Sequence, residues 1–165
     1  MKNTRTLTTA AMLAALYIVL VELQDLLLPG STSLAIQFRA AEALCVFAIF
    51  TPSAIYGLSL GCLVCNLLNA GALPLDFLVG TLATMLAALS MHLLRGVRIR
   101  SFPLLSLLMP VLLNGVFIGW ELTIYLGEFS FWLNALYVAV GEAAVIFTLG
   151  TALYFAADKL RLFGR

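Results

Sequence analysis

The sequence predicts an all-α integral membrane bundle of six transmembrane helices, a single domain over residues 1–165 with both termini cytoplasmic. Three observations predict it. Mean hydropathy is +1.09 and only 10% of residues are charged, whereas soluble domains carry roughly a quarter. The apolar residues fall into six runs separated by short connectors bearing Pro, Gly or polar residues. Lysine and arginine gather at the N-terminus, on one connector and in the tail, the distribution that orients membrane helices with positive segments inside.

A spanning helix needs about 20 apolar residues. Leu7 to Leu28 satisfies this and stops at the turn pair Pro29-Gly30. The start Met1-Lys2-Asn3-Thr4-Arg5 has the look of a signal peptide, but the apolar run after it is longer than a signal core and reads as a retained first helix. The polar connector Ser31 to Phe38 leads to a short second segment, Ala40 to Phe50, closed by Thr51-Pro52. Proline suits the first turn of a helix, so Pro52 opens the third segment, which runs to Leu68. Leu75 to Leu94, Leu104 to Leu126 and Phe131 to Ala157 are the fourth, fifth and sixth.

Reading the second and third segments as one helix kinked at Pro52 leaves five spans. The cluster Arg95, Arg98, Arg100 and the tail Lys159, Arg161, Arg165 then both fall on the face opposite Lys2 and Arg5. Six spans put both groups in the cytoplasm with Lys2 and Arg5, and leave only Arg39 outside.

The chain keeps acids inside or at the ends of these apolar runs: Glu22, Asp25, Glu42, Asp76, Glu121 and Glu142. Ionisable groups within a bilayer cost several kcal/mol unless they face a bundle interior or an aqueous cavity, so they mark a polar-solute site. Counting about 1.5 Å per residue brings Gln37, Arg39, Glu42, Asn66, Asp76, Glu121 and Asn134 toward the outer half. Asn114 and Glu142 fall near the midplane. Arg39 and Glu42, three apart, suit either an ion pair across one turn or ligand contact. Asn114 and Glu121 are seven apart and share a face of the fifth segment, with Trp120 beside them. Asn134 and Gly141 share a face of the sixth, with Tyr137 and Glu142 close to it. Tyr125, Phe129, Phe131 and Trp132 surround the outer fifth-to-sixth connection, as an interfacial belt or a stacking surface for a planar ligand.

Small residues mark packing faces. Ala10, Ala11, Ala14 and Ala15 form two overlapping Ala-x-x-x-Ala pairs, which permit close approach of another helix from within the bundle or from a partner. Ser53, Gly57, Gly61, Cys65 and Asn69 form a stripe suited to internal packing. Cys45, Cys62 and Cys65 lie in apolar segments and provide neither a disulfide framework nor a metal-ligand spacing. His92 reads as a solvated helix end. The absence of a G-x-x-x-x-G-K-[ST] loop and of a nucleophile elbow argues against an ATPase and an enzyme. Six helices without an evident inverted repeat are few for a self-sufficient transporter.

Several strings together resemble the QueT family: Gln37-Phe38-Arg39-Ala40-Ala41-Glu42-Ala43-Leu44, Gly61-Cys62 with Asn66, Gly80-Thr81-Leu82-Ala83-Thr84, Asn114-Gly115, and Phe131-Trp132-Leu133-Asn134-Ala135-Leu136-Tyr137-Val138 with Gly141-Glu142. The resemblance covers the chain from its first helix to the start of its tail. It implies the substrate-binding S-component of a prokaryotic energy-coupling-factor (ECF) importer, a multi-pass protein of the cell membrane that takes up a queuosine precursor such as 7-aminomethyl-7-deazaguanine (preQ1). It implies association with an EcfT-like transmembrane coupling protein through Ala11 and Ala15, and with two ATPases that use the ATP. No cofactor, metal or nucleic acid is expected for this chain itself. The expected substrate contacts are Gln37, Arg39, Glu42, Asn66, Asp76, Asn114, Trp120, Glu121, Trp132, Asn134, Tyr137 and Glu142. Either Glu121 or Glu142 can accept the paired N1–H and 2-amino donors of a deazaguanine edge. Asn114 or Asn134 can donate to the ring carbonyl, Trp120 or Trp132 can stack on the ring, and Asp76 or Glu42 can meet the cationic aminomethyl group. The alternatives are an S-component for another vitamin or purine-like solute, and a non-transporting assembly or sensor protein that buries these acids in ion pairs.

Overall fold

Ala40–Ile49, the shortest of the predicted segments, forms a ten-residue 3₁₀ helix at the centre of the molecule. Apart from Glu42 its sequence is apolar on every side, and a helix with no extended polar face belongs inside. Every residue from Ala41 to Ile49 is buried. A 3₁₀ rise of about 2.0 Å per residue stretches this helix over roughly 20 Å, further than the same residues reach as an α-helix. The computed structural model describes residues 2–31, 37–69, 73–125, 127 and 129–163. Residues 32–36 of the first connector, Met1, the Lys2 side chain, Leu126 at the predicted end of the fifth segment and Arg165 of the tail lie outside the described residues.

Around the central helix run α1 (Lys2–Leu27), α2 (Ser53–Leu68), α3 (Asp76–Leu93), α4 (Leu104–Tyr125), α5 (Phe131–Val145) and α6 (Thr151–Leu160). Among the described residues no strand is formed beyond an isolated Ile99–Phe102 bridge. From α1 to α5 each helix packs against the next, and the 3₁₀ helix touches all six. The predicted sixth segment is not one regular helix. A π turn, Ile146–Gly150, separates α5 from α6. It sits where the backbone presses on the central helix, with the Cβ position of Gly150 only 3.2 Å from Val46 Cγ1.

Four stretches are long and apolar enough to cross a membrane: Thr4–Leu27, Asp76–Leu93, Leu104–Tyr125 and Phe131–Leu160. Ala40–Ile49 and Ser53–Leu68 are shorter apolar helices. Large apolar side chains cover the outer surface, among them Leu26, Tyr56, Leu68 and Leu136, as a lipid-facing exterior requires.

The two alanine pairs divide. Ala14 is buried, and α2 lies so close that a Cβ on Gly57 would stand 2.5 Å from the Ala10 carbonyl oxygen and one on Gly61 3.0 Å from that of Ala14. Glycine is needed at both crossings because any side chain would push α1 away. Ala11 and Ala15 point outward and are exposed. The Gly57 and Gly61 part of the α2 stripe is therefore the internal packing face.

His92 departs from the expected solvated end. Its Nδ1 lies 2.7 Å from the carbonyl oxygen of Ala48, tying α3 to the last turn of the central helix.

Candidate functional site

The connector after α1 is fastened by Gln24, a residue the sequence reading did not single out. Its Oε1 accepts the Ala40 N–H at 2.8 Å, and its Nε2 donates to Ser31 Oγ at 2.9 Å and to the Phe38 carbonyl. On the other side the Gln37 backbone lies directly on Gly141 of α5, where a Cβ would collide with it. Gln37 is buried, and Arg39 is delivered to the bundle interior. The Arg39 Nη1 sits 3.8 Å from the Cβ position of Gly80, a position itself 2.8 Å from Asn66 Nδ2. The guanidinium is within electrostatic reach of Glu42, Asp76, Tyr17 and Cys62.

Glu42 is 1% exposed and satisfied by its own chain. Oε1 accepts from the Tyr17 hydroxyl at 2.5 Å and from Thr84 Oγ1 at 2.9 Å, and Oε2 accepts from Cys45 Sγ at 3.2 Å. Arg39 is thus a member of a wider group and not the sole partner of Glu42. Tyr17 and Thr84 were not singled out as site residues. The lone tyrosine of the first apolar segment was the available signal for the first, and a mid-helix threonine for the second.

Asn66 and Asp76 hold the α2–α3 corner. Asn66 Nδ2 donates to the Asp76 carbonyl at 2.8 Å, and Asp76 Oδ2 accepts the Leu73 N–H at 2.7 Å. Asp76 in turn stands beside Glu121 of α4. Glu121 is 0% exposed, and among the described residues neither carboxylate oxygen has a hydrogen-bond partner of good geometry, the Asp76 carboxyl being the polar group beside it.

Asn114 of α4 stands beside Glu142 of α5, and both are buried. Among the described residues neither Asn114 Nδ2 nor Glu142 Oε1 has a hydrogen-bond partner of good geometry, although the two side chains are close enough to pair. Gly115 and Gly119 allow this approach: their Cβ positions lie 3.1 Å from the Ala135 carbonyl oxygen and 2.6 Å from Ala135 Cα, so α4 and α5 run in backbone contact. Glu142 feels the charges of Glu42 and Arg39. The structure therefore brings Arg39, Glu42, Asn66, Asp76, Asn114, Glu121 and Glu142 into one polar group, in which Glu42, Asn114, Glu121 and Glu142 are buried and Arg39, Asn66 and Asp76 partly so, with Gln37 buried beside Gly141.

The remaining candidates lie elsewhere. Asn134 donates to Thr123 Oγ1 at 3.0 Å and Phe129 O at 3.4 Å, clamping the α4–α5 connection. Tyr137 packs edge-on against Phe129 at 5.9 Å. Trp132 is 79% exposed and meets Phe131 at 5.0 Å. Trp120 is 48% exposed and lines an apolar groove of about 480 Å³ with Leu75, Leu78 and Phe131 on the outside of α3 and α4. Both indoles are exposed, in the manner of an interfacial belt.

A buried carboxylate without donors is costly, and an amide N–H without an acceptor costs about 1–3 kcal/mol. Such groups facing one another form an arrangement that a ligand with complementary donors and acceptors can complete. A family model described as the QueT transporter matches residues 7–159, which take in every residue of this group. No curated protein and no solved structure matches the chain. A transport role accords with the four long apolar helices, and by the extent of the family match the chain belongs to the QueT transporter family.

Proposed function

We propose that the chain is the substrate-binding subunit of an ECF-type importer for a 7-deazaguanine queuosine precursor, with preQ1 as the leading candidate. The observation that carries this is the unpaired set of buried groups: Asn114 Nδ2, Glu142 Oε1 and both oxygens of Glu121. A guanine-like edge presents a carbonyl acceptor followed by an N–H and an amino donor. Asn114 beside Glu142 offers the matching donor and acceptor, and a carboxylate taking two N–H donors is a strong, directional contact. The acids Glu121 and Asp76 form a second, separate acceptor pair for a cationic aminomethyl group. Glu42, with three donors of its own chain, backs the site and holds α1, the central helix and α3 together. An assembly protein that buried its acids in ion pairs would not leave Glu121 and Glu142 open in this way.

In this reading the bundle crosses the membrane six times, the 3₁₀ helix reaching further than its residue number implies. The acids face the outside, and Arg5, Arg95 and Arg161 face the cytoplasm. The coupling protein docks on the exposed Ala11 and Ala15 face of α1. Ala15 borders a groove of about 890 Å³ with Met12, Leu16 and Phe163, wide and largely apolar, as helix docking needs. The ATP is used by two partner ATPases.

Calorimetric titration of the purified chain with preQ1, guanine and an unrelated vitamin tests the assignment. The proposal expects saturable binding of preQ1 and weaker binding of guanine. Preferential binding of the vitamin would assign the chain to another solute.

A further inference from the structure

At the end of α3 opposite Asp76, Arg95, Arg98 and Arg161 line a pocket of about 340 Å³. Asp158 is the one acid among its lining residues, so three guanidinium groups face a single carboxylate. None of these residues belongs to the buried polar group described above.

The pocket is built by the fold. Arg95 is held over the end of α3, its Nη1 donating to the His92 carbonyl at 2.7 Å. Arg161 ends α6 in the left-handed conformation, φ 50°, and reverses the chain. That reversal lays Phe163 on Phe50 at 6.2 Å and against Phe47 at 5.3 Å, making an apolar floor beneath the arginines. Guanidinium groups gathered on an apolar floor repel one another unless an anion lies between them. Their forked N–H donors match phosphate oxygens in pairs.

We propose that this pocket binds a phosphate group, carried by an anionic phospholipid headgroup or free in solution. A basic pocket at a helix end beside apolar surface is the arrangement that holds lipid phosphates at a membrane face. Binding there fixes the α3–α4 turn, the end of α6 and the last turn of the central helix to one another.

The test uses the full chain in detergent, examined by native mass spectrometry and thermal melting. One arm adds phosphatidylglycerol, a second phosphatidylcholine, a third inorganic phosphate. The disruptive variant is Arg98→Gln with Arg161→Asn. Asparagine tolerates the left-handed backbone, and Arg95 is left to hold α3. Retained phosphatidylglycerol with a raised melting temperature, weakened about 30-fold in the double variant, supports a lipid site. The same pattern with inorganic phosphate alone supports a free-phosphate site. Equal retention of both lipids with no effect of phosphate overturns the proposal, as does unchanged affinity in the double variant. If the double variant does not fold, Arg98→Gln alone, at an exposed position, is expected to weaken binding about fivefold, and unchanged affinity there has the same meaning.

Discussion

The Tyr17 hydroxyl reaches Glu42 across 25 residues of sequence and donates to Oε1 at 2.5 Å, joining a largely lipid-facing helix to the centre of the bundle. The bond is buried and ends on a carboxylate. Hydrogen bonds to charged groups contribute about 1.5–3 kcal/mol. Tyr17→Phe should therefore lower the melting temperature of the detergent-purified protein by that free energy, while Thr84 keeps Glu42 from being stranded. An unchanged melting curve would show that the bond holds nothing.

Glu142→Gln places an amide where the ligand's donors need an acceptor. Truncating one side of a buried charged pair costs about 2–5 kcal/mol, roughly 30-fold to several-thousand-fold in affinity. PreQ1 binding should fall by that amount with little change in melting temperature, because among the described residues Glu142 Oε1 has no well-formed hydrogen bond to lose and glutamine still pairs with Asn114. Titration calorimetry with parallel melts separates this from general destabilisation, and wild-type affinity would remove Glu142 from the site.

Glu121→Gln tests the second acceptor pair. Glu121 and Asp76 stand together where α3 begins and α4 finishes, and a cationic substituent placed there loses one of two acids. The variant should bind preQ1 about tenfold or more weakly, yet bind the same ring without its aminomethyl group nearly as well as the wild type does. Equal losses for both compounds would place Glu121 on the ring edge.

The two faces of α1 should respond differently to bulk. Ala11→Trp and Ala15→Trp, on the exposed face, should abolish uptake by the assembled transporter while preserving ligand binding to the isolated subunit. Gly57→Leu, whose Cβ falls 2.5 Å from the Ala10 carbonyl oxygen, should destabilise the subunit itself by about 1–3 kcal/mol or more. Uptake assays beside melting curves distinguish the two, and full uptake by both tryptophan variants would end the docking argument.

Hydropathy and residue type alone determined that the chain is helical and apolar, where its segments break, and which few ionisable residues it keeps. These are local properties. The strings Gln37 to Leu44 and Phe131 to Val138 also carried the family, because a family is a matter of sequence.

Only the tertiary structure decided how those residues are shared out. Six acids of similar hydropathic setting look alike in one dimension. In three, Glu42 receives donors from α1, its own helix and α3, whereas Glu121 receives none of good geometry from the described residues. Adjacent alanines separate in the same way: Ala10 and Ala14 take the glycines of α2, while Ala11 and Ala15, one position further round the helix, stay outside. The central 3₁₀ helix and the π turn were not legible either, since both arise where neighbouring backbones press together. Hydrogen-bond satisfaction and close packing depend on partners distant in sequence, and their positions exist only once the bundle has closed.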